Sequence, residues 1–111
     1  MEEIRYDSKE LERLCNDDRY CTGKLGLPGK KKVWTRMAEL EAAPTVGDLP
    51  KAGDPHPLER ELEGFFAVSL DGGRRLIFKP VDPAPRDGRG RIDWRRVSRI
   101  TITAIKDYHR G

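Results

Sequence analysis

Cysteine, histidine and aromatic residues are all scarce in this chain. Its 111 residues include two cysteines, two histidines and two tryptophans, and aromatic side chains make up only 7% of the total. Cys15 and Cys21 have no third Cys and no His near them at the spacing a structural zinc site requires, so they read as reduced thiols. Long apolar runs are missing as well. Nothing approaches the ~18 to 20 consecutive apolar residues of a membrane helix, and the acidic, polar N-terminus lacks the apolar segment of a secretory signal. Cytoplasmic residence is therefore expected, in agreement with reduced thiols. Apolar residues make up 36% against 37% charged, with a mean hydropathy of −0.75. That supply suffices for one core in a domain of this size and leaves nothing for a second.

Charge is plentiful and unevenly placed. The formal net charge is +3, yet from Gly72 to Gly111 eleven Lys or Arg face four Asp, a local +7. Between Thr22 and Met37, five basic residues have no acidic partner. Residues 1 to 21 and 38 to 71 are by contrast acidic. A fold that joined the two basic segments would present a field attractive to a polyanion, and RNA is the commonest such target.

The order of elements follows from apolar spacing and punctuation. Ile4 and Tyr6 predict a short opening strand. Asp7 with Glu10 forms a capping-box pattern ahead of Leu11, Leu14 and Cys15, which share one helical stripe. The pattern breaks at Asn16 to Asp18, restarts at Asp18, and is interrupted again by Gly26, Pro28 and Gly29. From Lys30 to Ala43, Val33, Met37 and Leu40 recur at helical spacing, with Trp34 on the inner edge, until Pro44 stops the run. Thr45 to Pro57 reads as a loop. A strand is expected around Leu58 to Leu62, then a hairpin in which Phe66, Val68 and Leu70 turn through Asp71-Gly72-Gly73 into Leu76 and Phe78. Pro80 to Val97 is an arginine-studded insert, with Asp93 a candidate cap for one helical turn and Trp94 a candidate either for RNA stacking or partner contact or for covering the sheet edge. Val97, Ile100, Ile102 and Ala104 mark a closing strand whose Arg99, Thr101 and Thr103 point the other way. The whole is an α+β domain: an N-terminal strand and two helices packed on one face of a mostly antiparallel sheet, the other face left open.

The two histidines stand at the ends of elements, His56 before the hairpin and His109 after the closing strand. Imidazole titrates near neutrality, so a pair can supply a base and an acid together. Four motifs run in order along the chain: His56-Pro57-Leu58, Gly64-Phe65-Phe66-Ala67-Val68, Arg75-Leu76-Ile77-Phe78 and the terminal Asp107-Tyr108-His109. In this set and spacing the chain resembles the HigB branch of the RelE/ParE toxin superfamily over nearly its whole length, and Leu40-Glu41-Ala42-Ala43 resembles plasmid-maintenance killer proteins. The resemblance implies one RelE/HigB-like toxin domain over residues 1–111, of a type II toxin-antitoxin system, with Pro80 to Val97 inserted.

The implied activity is ribosome-dependent endonuclease cleavage of mRNA in the A site, inhibiting translation. A 2′-hydroxyl attacks its own phosphodiester, leaving a 2′,3′-cyclic phosphate and a free 5′-hydroxyl, with no metal or other cofactor required. His56 matches a position serving as acid or base and is assigned as base. His109 then protonates the leaving oxygen, and the two roles are interchangeable on sequence alone. Arg75 matches the sheet arginine that faces the scissile phosphate, where its planar fork suits the charged oxygens. Asp107 would orient an imidazole or keep it protonated, its alternative being a plain surface carboxylate. Tyr108 would stack on a base or hold a phosphate oxygen, with a core tyrosine as the rival. Arg74 should face away from Arg75, the two exchanging roles if the register slips by one. Lys30, Lys31, Lys32, Arg74, Lys79 and Arg99 are candidate RNA contacts. The expected partners are mRNA, the ribosome and a neighbouring antitoxin, often a helix-turn-helix protein. Two other readings share the fold: a ParE-like poison that binds DNA gyrase, and an RNA-binding module or corepressor without toxicity. Neither needs the histidines.

Overall fold

The computed structural model describes residues 1–107. It orders them as β1 (Glu3–Tyr6), α1 (Lys9–Asn16), α2 (Asp18–Ala42), β2 (His56–Pro57), β3 (Phe66–Ser69), β4 (Arg74–Pro80) and β5 (Arg99–Asp107), with short 3-10 turns between α2 and β5. The sheet runs β1-β5-β4-β3-β2. β1 lies parallel to β5 and every other pairing is antiparallel. Both helices cover one face, giving the expected α+β architecture. No helix among the described residues is long and apolar enough to cross a membrane.

The first helix is capped one residue later than the pattern predicted. The Ser8 hydroxyl accepts from the Leu11 amide at 3.1 Å, while the Asp7 amide donates to the Ile102 carbonyl at 2.9 Å and so still belongs to the end of β1. Leu11, Leu14 and Cys15 are buried, as their shared stripe requires. Asp17 caps α2 by accepting from the Tyr20 amide. Within α2 the backbone breaks at Gly26 (φ 78°, ψ 169°), a conformation essentially confined to glycine. Pro28 then sits in the first turn of the second segment, where no donor is missed. That segment sends Val33, Met37 and Leu40 into the core against Leu76 and Phe78 of β4, Ile100 and Ile102 of β5, and Phe66 and Val68 of β3. Cys15 and Cys21 are free and buried.

The hairpin turn forms where Gly72 (φ 54°) and Gly73 (φ 82°) both take the left-handed backbone that a tight turn between twisted strands demands. Two expectations about strands are corrected. The ladder next to β3 is made by His56 and Pro57, opposite Ala67 and Phe66, rather than by Leu58 to Leu62. After the Leu58 amide bonds the Phe65 carbonyl, the left-handed Arg60 (φ 59°) turns the chain into a 3-10 segment, Arg60–Leu62, and away from the sheet. The second correction concerns β5. Ile77 pairs with Ala104 but the next residue, Phe78, pairs with Ile102, so Thr103 is an extra residue in the ladder, its hydroxyl donating to the Ile77 carbonyl at 3.2 Å. Beyond this bulge the alternation is inverted. Ile105 now meets the core, and Ala104 faces the open side with Ile77 instead of the core.

The insert is folded. Asp87 accepts from the Arg89 and Arg91 amides at 2.8 and 3.0 Å, which hold its carboxyl below the usual range. Asp93 caps the Trp94–Arg96 turn, and Trp94 packs on Phe66 with ring centroids 4.8 Å apart. Val97 is buried, and its carbonyl accepts from the Val46 amide.

Candidate active site on the open sheet face

Cross-strand partners share a face, so the register states which side chains meet on the side opposite the helices. One row runs His56, Ala67, Ile77, Ala104, and the next runs Ser69, Arg75, Lys106. Toward the β1 end, Lys79 lies opposite Thr101, which pairs in turn with Arg5, and Arg99 lies beside Glu3. Ala67 and Ile77, in the middle, are buried. The face therefore has a buried apolar centre, with Arg5, Lys79, Arg99, Arg75, Lys106 and His56 placed around it. Glu3 and Asp54 are its acidic members.

His56 and Arg75 converge on Asp54. The Asp54 Oδ2 lies 3.9 Å from His56 Nδ1 and 3.8 Å from Arg75 Nη1. His56 Nδ1 is also 2.7 Å from the Asp54 main-chain carbonyl oxygen, and Arg75 Nη1 donates to Ser69 Oγ at 3.3 Å. Asp54 itself is left-handed (φ 47°, ψ 52°), a region that Asp reaches more readily than most residues.

The loop carrying Asp54 is fastened from below by Arg36, the one charged side chain that is buried among the described residues. Its Nε donates to the Ser69 carbonyl at 2.7 Å and its Nη2 to the Ala52 carbonyl at 3.1 Å, while Nη1 meets both Glu39 carboxylate oxygens at 3.0 and 3.2 Å. Helix α2, the loop before His56 and the end of β3 are thus tied at one guanidinium. Gly53 lets the loop approach, since a Cβ there would come within 3.1 Å of Arg36 Nε.

The other predicted residues disperse. Arg74 points to the helical side, donating to the Leu25 carbonyl at 3.0 Å with Asp71 Oδ1 at 3.5 Å, as the alternation with Arg75 requires. Lys79 is exposed on the open face. Arg99 is on that face too, but donates to Glu3 at 2.8 Å. Glu3 also accepts from Arg5, and the two guanidinium bonds hold the Glu3 carboxyl below its usual range. Lys30, Lys31 and Lys32 belong to the helical layer, and Lys30 lies 3.6 Å from Asp18. They are not brought to Arg75. Because of the bulge, Lys106 is opposite Arg75, and Asp107 is opposite Arg74. Tyr108 and His109 lie outside the described residues. Of the face's charged members, sequence reasoning missed Asp54, Lys106, Arg5 and Glu3. A Gly-Asp-Pro run before His56 was the available signal for the first; nothing marked Lys106.

A separate open cleft of about 940 Å³ lies beyond β2, between the 57–64 segment and the insert, with Leu58, Arg60, Arg91, Ile92 and Trp94 among its walls. Its cations are matched by Glu59, Glu63 and Asp87. Among the described residues no group of three or more His, Cys, Asp or Glu could hold a metal ion.

No family model matches the chain. Toxin YoeB of Streptomyces coelicolor is 33% identical over 52 residues, which are 47% of this chain and 62% of that toxin, so the match spans less than two thirds of the relative. Three solved structures share the fold over almost the entire chain. The YoeB-YefM complex from Staphylococcus aureus gives a TM-score of 0.56 at 19% identity, with 98% of each chain covered. A YoeB/ParE toxin from Agrobacterium tumefaciens gives 0.57 at 11%, covering 96% of this chain and 99% of that one. A YafQ variant from E. coli gives 0.56 at 17%, covering 96% and 93%. The fold is therefore that of the YoeB and YafQ toxins. None of these four carries the HigB name that the sequence motifs suggested.

Proposed function

We propose that this chain is the toxin of a type II toxin-antitoxin pair in the RelE/ParE superfamily, and that it is a ribosome-dependent mRNA endonuclease. The observation that carries this reading is the meeting of His56 and Arg75 on the basic sheet face opposite the helices, with one carboxylate oxygen within 4 Å of both. A gyrase binder has no use for such a pair. RNA supplies its own nucleophile, so the protein has three tasks: to remove a proton, to deliver one, and to stabilise charge on phosphorus. His56 takes the proton from the 2′-hydroxyl as its oxygen bonds to phosphorus. The bond to the 5′-oxygen breaks, and His109 protonates that leaving oxygen. Arg75 holds the extra negative charge on the phosphoryl oxygens through its fork. Lys106, Lys79 and Arg5 line the path of the neighbouring phosphates on the same face.

The partners under this reading are the ribosome with its mRNA, and a cognate antitoxin. The Staphylococcus aureus relative, solved in complex with YefM, supports the second. The test is translation in a reconstituted system with the mRNA ends mapped. Wild type arrests translation and creates new 5′-hydroxyl ends. Arg75→Ala slows cleavage about 10²- to 10³-fold, the usual loss of an oxyanion donor, and His56→Gln and His109→Ala each lose about 10²- to 10⁴-fold. Arrest without new 5′-hydroxyl ends, or full cleavage by His109→Ala, rejects the proposed nuclease mechanism, and no arrest together with inhibition of purified DNA gyrase favours the ParE-like alternative.

A further inference from the structure

His56 is held by a residue that no motif singled out. Its Nδ1 lies 2.7 Å from the Asp54 carbonyl oxygen. A carbonyl oxygen only accepts, so in this contact Nδ1 carries the hydrogen, and in the neutral ring the lone pair is left on Nε2. We infer that Asp54 is the positioning residue that makes His56 the base of the site, its main-chain carbonyl fixing the ring and its carboxylate facing the charge the ring acquires. This inference rests on the ribonuclease reading of His56 given above.

The backbone explains how the carbonyl comes to be there. Arg36 anchors Ala52 through its carbonyl, Gly53 packs against the same guanidinium, and the left-handed turn at Asp54 then swings its carbonyl onto the ring two residues on. During the reaction the 2′-hydroxyl proton passes to Nε2 as the 2′-oxygen bonds to phosphorus. The 5′-oxygen departs with a proton supplied by the general acid. The ring is then an imidazolium that still donates from Nδ1 to the Asp54 carbonyl, with the Asp54 carboxylate oxygen at 3.9 Å as its counter-charge. That carboxylate is 72% exposed, so solvent screens it and the main-chain contact is the larger part of the effect. Under the same reading the acid is His109, the role that the resemblance implies for it.

Two substitutions separate the parts. Asp54→Asn keeps a side chain that tolerates the left-handed backbone and removes only the charge. Asp54→Val introduces a β-branched residue that disfavours positive φ, and so displaces the carbonyl. The tautomer is read from long-range proton–nitrogen spectra of 15N-histidine-labelled protein at alkaline pH, the His56 signals being identified by their loss in His56→Gln. Wild type and Asp54→Asn are expected to carry the hydrogen on Nδ1, and Asp54→Val to shift toward Nε2–H. In single-codon cleavage assays kcat is expected to fall about 10- to 100-fold for Asp54→Val, the range for a supporting hydrogen bond, and by at most about fivefold for Asp54→Asn. KM should stay within about twofold in both, which a general loss of RNA affinity would not allow.

An Nε2–H tautomer in wild type overturns the proposal whatever the variants do, including if Asp54→Val fails to fold. So does an Asp54→Val protein with unchanged tautomer and unchanged kcat. A wild-type protein that shows the Nδ1–H form but cuts no RNA supports Asp54's hold on the ring and removes only the ribonuclease reading.

Discussion

Arg36 shows how one side chain can decide the geometry of a site it never enters. Nine-tenths or more of it is out of solvent, and its three guanidinium nitrogens satisfy two carbonyls and a carboxylate from three separate parts of the chain. Arg36→Met keeps the bulk but leaves the Ala52 and Ser69 carbonyls and the Glu39 carboxylate without their donor. Urea unfolding should show a loss of about 3 kcal/mol, the cost of breaking rather than replacing a buried pair. Cys15 makes a second prediction at this scale. Burial, with a smaller contribution from Cys21, pushes its thiol up to about 12. A thiol raised in the folded state contributes stability that is intact below its unfolded value near 9 and is lost progressively as pH climbs toward 12. Stability should therefore fall through that window by up to about 1.4 kcal/mol per pH unit from this group, and Cys15→Ala should flatten the decline. Neither cysteine should react with a thiol reagent at neutral pH until the protein is unfolded.

The break in α2 is the clearest test among the elements. At Gly26 a side chain meets only Pro28 Cδ at 3.8 Å, so space is available, but φ 78° with ψ 169° suits glycine alone. Gly26→Ala should cost about 1–3 kcal/mol, visible as a lowered melting temperature with an unchanged far-ultraviolet spectrum below it. This break is legible in the sequence because Gly26, Pro28 and Gly29 act through local backbone chemistry. The same holds for the Val33, Met37, Leu40 stripe and for the Asp71-Gly72-Gly73 turn. What stays hidden depends on partners far along the chain. Thr103 looks like any alternating strand residue, and only the register against β4 makes it the extra one. Simple alternation puts Ala104 and Lys106 on the wrong side for that reason. His56 reads as lying ahead of a strand rather than in one, since two residues carry no period. Asp54 cannot be seen as part of the site because its contribution is a carbonyl aimed by a left-handed turn. Arg75, in contrast, is legible from the alternation of Leu76 and Phe78, which leaves it no face but the open one.

For the molecule as a whole, the net charge of +3 understates what a polyanion meets. The open face gathers Arg5, Arg75, Lys79, Arg99 and Lys106 around the buried Ala67 and Ile77, while Glu3, shared by Arg5 and Arg99, offsets part of the charge at one end. Binding of a non-cleavable oligonucleotide, with 2′-deoxy sugar at the cut position, should weaken linearly on logarithmic axes as salt rises. Replacing both Lys79 and Lys106 by Ala should make that slope shallower by about 1.4, or about 0.7 for each single-strand phosphate that is no longer neutralised. Replacing Lys31 and Lys32, which lie in the helical layer, should leave it unchanged. The sheet order has one more consequence. β5 is the last of the five strands to be synthesised, yet it sits between β1 and β4, with Glu3 beside Arg99. A nascent chain that has not yet extruded β5 offers the first strand no neighbour and the fourth only one, so the open face cannot assemble until all five strands have left the exit tunnel. Under the nuclease reading, a chain still waiting for that strand is harmless to the ribosome that is making it.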